Sequence, residues 1–267
     1  MLCPMFATTN ALLKRREKLD LELKGKRAIV LGASRGLGAA IARELVDEGA
    51  DVLGVSRNPG DGLDWPMMAV DLTAPDAAKT IAAHARSELG GVDILVNNSG
   101  GPAPSTAHET DASQLLAAAQ PMLLTITELT RLVLPDMRAA GFGRILTITS
   151  SGVREPIPGL ALSNTIRAAV HGWMKTLAKE VAMDGVTVNL LMPGQIDTDR
   201  LRSLHQKIAV LAEIDREVIV SKAIEGIPAG RFGEPREFGA AAAFLASPRA
   251  SYLTGLEIPI DGGFLRS

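Results

Sequence analysis

From Lys26 onward, short apolar runs of β type alternate with stretches of helical periodicity, and that alternation leaves the chain few architectures. The runs are Arg27-Ala-Ile-Val-Leu31, Asp51-Val-Leu-Gly-Val-Ser56, a weaker Pro66-Met-Met-Ala-Val70, Val92-Asp-Ile-Leu-Val96, Arg144-Ile-Leu-Thr-Ile-Thr149 and Val186-Thr-Val-Asn-Leu-Leu191, with a seventh at Leu256-Glu-Ile-Pro-Ile260. Helical stretches at Gly38–Glu48, Ala77–Leu89, Ser113–Ala140 and Leu162–Met183 fall between them. Strands that are apolar throughout are covered on both faces, as in a parallel sheet with helices on each side. The prediction is an α/β fold with a doubly wound parallel sheet of about seven strands.

No Pro/Gly/Ser-rich linker divides the chain, so residues 25–267 are expected to form a single domain. Residues 1–24 read as an N-terminal extension in which Leu residues flank the charged run Lys14-Arg15-Arg16-Glu17-Lys18. Either a short amphipathic helix or a partly ordered tail fits that pattern. Residues 193–231 break the strand–helix rhythm and carry one helix-like stretch, Leu204–Ala223. A long excursion after a strand's C-terminal end lies over the ligand crevice of such a sheet, so this segment is expected to be a substrate lid.

Composition excludes several functions. The 28 Lys+Arg against 30 Asp+Glu give a formal charge of −2 at pH 7, which offers no electrostatic footprint for nucleic acid or anionic lipid. Cys3 is the only cysteine, so neither a disulfide framework nor a Cys-based zinc site is expected. His84, His108, His171 and His205 lack metal-ligand spacing, so no metal is expected. No apolar run is long enough to span a bilayer, and the first residues make a poor secretory signal. The expected location is the cytoplasm.

The first strand leads into Leu31-Gly-Ala-Ser-Arg-Gly-Leu-Gly38, with glycines at 32, 36 and 38. Between a strand and a helix, such glycines allow a tight turn and let a pyrophosphate approach backbone N–H groups at the helix N-terminus. From this point the chain resembles the short-chain dehydrogenase/reductase family, and specifically its 3-oxoacyl-ACP-reductase-like members. Asp71-Leu72 resembles the family's adenine-contacting position, and Asn97-Asn98-Ser99-Gly100 its NNAG turn with Ser for Ala. Ser150 ends a strand where the family keeps a catalytic serine. Pro193-Gly194, with Ile196 and Thr198, resembles the segment that contacts the nicotinamide. Gly230-Arg-Phe-Gly-Glu-Pro235 and Leu253-Thr-Gly255 through Asp261-Gly-Gly263 complete a likeness that covers roughly residues 25–265. The resemblance implies a Rossmann-like fold and a dinucleotide held by Gly32, Ser34, Arg35, Gly36, Leu37, Gly38, Asp71, Leu72, Asn98, Ser99, Gly100, Arg167, Pro193, Gly194, Ile196 and Thr198.

The second strand indicates which dinucleotide. A free ribose 2′-hydroxyl is usually held by an acid at its end, whereas this chain has Ser56 followed by Arg57. Together with Arg35, these residues suit a 2′-phosphate that an acid would repel. NADP(H) is therefore expected in preference to NAD(H).

One departure from the family matters. Its active site is a Tyr-x-x-x-Lys pair, and the equivalents here are Ser163 and Arg167. Counting back from Leu177-Ala-Lys-Glu180 and counting forward from Ser150 both reach Ser163. The only tyrosine, Tyr252, lies in the C-terminal signature, and Gln120 takes the family's asparagine position. A serine hydroxyl is far less acidic than a phenol and its side chain is shorter, so a water held by Ser150 and Ser163 is the expected proton relay. Arg167, one helical turn from Ser163, can bind ribose hydroxyls and supply positive charge. His171, His205 and His108 are other conceivable proton donors.

Two functions follow. One is an NADP(H)-dependent oxidoreductase that moves hydride between nicotinamide and a carbonyl, alcohol or enone carbon by a non-standard proton path, with Ser150, Ser163, Arg167 and Gln120 as the catalytic set. The alternative is a non-catalytic NADP(H)-binding sensor or partner protein. A dinucleotide-dependent dehydration or isomerisation is a third. The family resemblance also implies a homo-oligomer, a tetramer or a dimer, built on the two long helices.

Overall fold

A computed structural model describes residues 19–265. The charged run at 14–18 lies outside the described residues. Among them, seven strands form one wholly parallel sheet: β1 (Arg27–Leu31), β2 (Asp51–Ser56), β3 (Met67–Ala69), β4 (Ile94–Asn97), β5 (Gly143–Ile148), β6 (Val186–Pro193) and β7 (Glu257–Ile260), in the spatial order β3-β2-β1-β4-β5-β6-β7.

Both faces are covered, as expected. Alternate residues of β1 go to opposite sides: Ile29 and Leu31 to one core, Ala28 and Val30 to the other, all fully buried. The first core is closed by α2 (Ala77–Leu89), α4 (Thr125–Ala140) and α5 (Ala161–Val181), through side chains such as Ile81, Leu129 and Met174. The second is closed by α1 (Gly36–Asp47) and α8 (Pro235–Ala246), where Ile41 and Leu45 meet Phe238. Leu23, from the extension ahead of β1, is fully buried in that second core.

The helices differ from the sequence reading in three places. The expected helix over 113–140 is α3 (Ala112–Ala119), a π turn at Gln120–Leu124 and α4. The expected single helix over 204–223 is two, α6 (Asp199–Ala212) and α7 (Arg216–Glu225). They separate at Glu213, whose φ of +54° a helix cannot continue through. Helix α8 was not anticipated; its run of Gly and Ala gives weak periodicity, and Pro235 at its first position and a Glu234–Glu237 capping box start it.

Strand order reverses between β1 and β4: β2 and β3 extend the sheet one way, β4 to β7 the other. All carboxyl ends lie along one edge, so the loops that follow β1 and β4 flank the crevice where open α/β sheets take their ligands.

Candidate active site at the strand-order reversal

The glycine loop is built against Asn98. A Cβ at Gly32 would lie 2.6 Å from the Asn98 Nδ2, and one at Gly38 would lie 2.7 Å from the same atom and collide with the Gly32 carbonyl. Gly36 opens α1 at φ +59°, and a Cβ there would stand 3.8 Å from Thr198 Cγ2. The turn after β1, the end of β4 and the segment after β6 therefore meet at this point. Ser34 and Leu37 are half-buried within the loop, and Ser99 is buried and Gly100 exposed after Asn98.

At the end of β2, the Ser56 Oγ is buried without a hydrogen-bond partner. The Arg35 and Arg57 side chains are exposed and make no ion pair or hydrogen bond among the described residues. Arg57, Asn58, Ala69, Val70 and Asp71 line an open cavity of about 490 Å³ across the ends of β2 and β3. Asp71 accepts from the Thr73 N–H and hydroxyl, both at 2.9 Å, and these bonds, helped by the Arg57 charge, hold its carboxyl below the usual range. The Leu72 carbonyl accepts from Thr125 Oγ1 at 2.8 Å, which ties this loop to the start of α4.

Beyond β5, Ser150 caps a single 3-10 turn, Ser151–Val153, and its Oγ accepts from the Gly152 N–H at 3.1 Å. That turn presses on α5: a Cβ at Gly152 would collide with Asn164, the residue after Ser163, and lie 3.4 Å from Ser150 Oγ. Ser163 and Arg167, both half-buried, are one turn apart on α5. Arg167 Nη1 donates to the Ile148 carbonyl at 2.7 Å. Burial first, and the charge of Arg200 second, lower its pKa to about 10, so it stays a cation at neutral pH.

Gln120 begins the π turn, and its Nε2 donates to Thr125 Oγ1 at 3.3 Å. The flanking Ala118 and Met122 pack on Leu162 and Ile166, neighbours of Ser163 and Arg167. A π turn inserts one residue, which displaces the following helix face, and such turns recur at functional sites.

Pro193 ends β6, and Gly194 leaves room for Asp261, which its Cβ would approach to 2.5 Å. Ile196 is buried and bridges to Gly233. Thr198 caps α6, accepting from the Leu201 N–H at 3.4 Å.

The histidines stand apart from this cluster. His205 is buried against Phe232, with ring centroids 5.5 Å apart, and burial followed by the Arg216 charge lowers its pKa. His171 Nε2 faces Glu257 Oε2 at 3.8 Å, and His108 is exposed.

Two residues missed by the sequence reading shape the site. Ser105 forms a parallel bridge with Leu160, and its Oγ accepts from the Leu162 N–H at 3.2 Å at the start of α5. Arg200, in the first turn of α6, places its guanidinium over Gly101. Nothing in the spacing marked Ser105; for Arg200 the only signal was the dense charge of Asp197–Arg202.

Comparison with known proteins gives a consistent picture. A family model described as Enoyl-(Acyl carrier protein) reductase matches residues 32–265. The 3-oxoacyl-[acyl-carrier-protein] reductase FabG of Vibrio cholerae is 36% identical over 253 residues, 91% of this chain and 98% of that protein. Among solved structures, L-sorbose reductase from Gluconobacter frateurii, complexed with NADPH and L-sorbose, superposes with a TM-score of 0.86 at 30% identity, covering 93% of this chain and 100% of the other. YwfH, an NADPH-dependent reductase involved in bacilysin biosynthesis, gives 0.83 at 29% identity, covering 91% and 99%.

Proposed function

The chain belongs to the short-chain dehydrogenase/reductase family and is an oxidoreductase, and from that premise we propose that it uses NADP(H) and a proton path without tyrosine. The observation that carries the cofactor reading is the end of β2, where Ser56 with an unpartnered Oγ and then Arg57 stand in place of an acid, with Arg35 in the glycine loop. The residues present fit a dinucleotide. The glycine turn packs against Asn98 with no side chain at 32, 36 or 38, and the Arg57 guanidinium lines the open cavity that reaches Asp71. A 2′-phosphate there accepts charge-assisted hydrogen bonds, which an acid at β2 would forbid. The NADPH-dependent relatives support the same choice over NAD(H).

When bound, the dinucleotide supplies or accepts the hydride; the chain's own residues do the rest. Gly32, Ser34, Arg35, Gly36, Leu37 and Gly38 present backbone N–H groups and the positive end of α1 to the pyrophosphate. Asp71 and Leu72 would border the adenine, and Asn98, Ser99 and Gly100 would hold the ribose. Pro193, Gly194, Ile196 and Thr198 would form the wall beside the nicotinamide. Arg167 donates to ribose hydroxyls with the guanidinium nitrogens that Ile148 leaves free, and its charge favours a developing oxyanion. Ser150 keeps a hydroxyl proton to donate while its oxygen accepts from Gly152, so it and Ser163 hold a water that relays the proton to the substrate oxygen. Gln120, braced by Thr125, orients that water. Residues 193–231 act as the substrate lid over a single domain spanning 25–267.

The substrate is a small molecule bearing a carbonyl or alcohol carbon, and the protein works as a homo-oligomer in the cytoplasm. α5 presents small exposed residues, Thr165, Ala168 and Ala169, that suit helix packing between copies. Among the described residues no helix is long and apolar enough to cross a membrane. The decisive experiment titrates NADPH and NADH by fluorescence, then follows NADPH oxidation with a panel of ketones, oxo acids and enones. Saturable NADPH binding with turnover supports the reading. Saturable binding with no turnover on the panel favours the cofactor-binding sensor, and no binding overturns both.

A further inference from the structure

The segment after β6 carries a second guanidinium to the mouth of the site. Arg200 is exposed in the first turn of α6, and its Nη2 lies 2.7 Å from where a Cβ at Gly101 would stand. Gly101 follows β4, and Ile148, which anchors Arg167, ends β5; these strands are neighbours in the sheet. Arg200 thus comes in from α6 over the strand ends, on the side where Arg167 is held. The two are close enough for the charge of Arg200 to depress the Arg167 pKa, second only to burial.

Neither arginine has a carboxylate partner among the described residues. The acids beside Arg200 in sequence are already engaged: Arg202 bonds Asp197 at 2.8 and 2.9 Å and lies 3.5 Å from Asp199. Two like charges converging on one crevice are unfavourable, most of all when one is partly desolvated. A cation in the first turn of a helix also opposes the helix dipole. An oxyanion bound between the two guanidinium groups offsets both costs at once.

We propose that Arg167 and Arg200 clamp a carboxylate on the substrate, so that this enzyme reduces oxo acids, or oxidises hydroxy acids, in preference to neutral ketones and alcohols. Arg167, fixed to Ile148, is one half; Arg200, exposed in the first turn of α6, closes from the other side. In the reducing direction the carbonyl carbon gains a hydride and its oxygen a proton, the dinucleotide is oxidised, and the carboxylate leaves unchanged. The proposal deepens the oxidoreductase reading and rests on it. The phosphates of the dinucleotide are a second possible source of oxyanion, but the glycine loop, Arg35 and Arg57 already serve them.

The test compares 2-oxo and 3-oxo acids of four to eight carbons with their methyl esters, using the full-length wild-type protein and Arg200→Gln. The wild type should favour acid over ester, and Arg200→Gln should lower kcat/KM for the acid about 10- to 100-fold more than for the ester, with the NADPH Kd unchanged. Arg200→Lys should recover part of the loss, since it keeps the charge but not the fork. Equal rates for acid and ester, or an equal loss on both, overturn the clamp. A parallel loss of NADPH affinity overturns it too, since the anion is then the cofactor's. If NADPH binds but nothing in the panel turns over, the failure lies with the catalytic reading, and binding decides the clamp. Calorimetry on the NADP⁺-saturated protein should then give saturated carboxylates of the same lengths at least about tenfold tighter than their amides, with the difference gone in Arg200→Gln. No such difference overturns the proposal.

Discussion

Arg167 Nη1 donates to the carbonyl oxygen of Ile148 at 2.7 Å, so the basic group at the mouth of β5 is anchored to the sheet itself. A lysine has a single nitrogen for that carbonyl and for a ligand together, whereas a guanidinium has separate nitrogens for each. The guanidinium of Arg167 is therefore held in one direction by Ile148 while its other nitrogens stay available.

This placement predicts the pH profile. Burial, then Arg200, lowers the Arg167 pKa to about 10, so the cation releases its proton only as the pH rises through that value. The rate of carbonyl reduction should be nearly free of any ionisation of Arg167 over roughly pH 6 to 9 and fall above it, because a group with that pKa is about 99.9% charged at pH 7 and still about 90% charged at pH 9. An activity that switches on or off through Arg167 near pH 7 would contradict the assignment.

The paired substitution Ser163→Tyr with Arg167→Lys should lower the native activity by about 10²-fold or more, the range for loss of one positioned acid–base path. Steady-state kinetics on the native substrate, alongside circular dichroism to check folding, measure it. Undiminished native activity would remove the water relay.

Gly38→Ala should cost about 1–3 kcal/mol of stability and weaken NADPH binding at least about tenfold, because its Cβ meets the Gly32 carbonyl and the Asn98 side chain. Gly100→Ala, where a Cβ meets nothing within 4 Å, is the control and should be close to neutral in stability. Thermal melts and fluorescence titration separate the two effects.

Arg57→Ala should weaken NADPH by about 10- to 100-fold and leave NADH almost unchanged, as expected for loss of a charge-assisted bond to the 2′-phosphate. Ser56→Asp should go further and reverse the preference. Equal losses on both dinucleotides would place Arg57 elsewhere on the cofactor.

Arg27 and Asp93 link the start of β1 to the start of β4, with bonds of 2.7 and 2.9 Å between their side chains. Burial alone would raise the Asp93 carboxyl, but the Arg27 side-chain and backbone bonds outweigh it and the net shift is downward. Stability from this pair is therefore present above the ordinary carboxylate pKa and is lost as the pH falls through the lower folded value. Asp93→Ala should cost about 2 kcal/mol at pH 7, below the range for a fully buried pair because Arg27 keeps some contact with water. The Tm difference from wild type should shrink on acidification below about pH 4.

Much of the scaffold could be read in the sequence, because apolar strands such as Val186–Leu191 and the glycine turn at 32–38 carry their signals locally. The break at Glu213 could not, since apolar residues continue past it at Ile214 and Val218 and only the backbone torsion reveals the corner. The π turn at Gln120 hides for a similar reason: one inserted residue leaves both flanking helical patterns intact. Spacing places Ser163 and Arg167 one turn apart, and α5 does carry both, whereas the approach of Arg200 to Gly101 has no local signal because it needs α6 to meet the loop after β4, segments about a hundred residues apart.

Ser105 and Leu160 are joined as though they belonged to a tiny extra sheet, with Ser105 N–H bonded to the Gly159 carbonyl at 2.9 Å and Ala161 N–H bonded to the Ser105 carbonyl at 3.0 Å. Two stretches of chain far apart in sequence thus make one rim. Anyone building chimeras with a relative must transplant both stretches together, since swapping either alone strands the other's amides without acceptors.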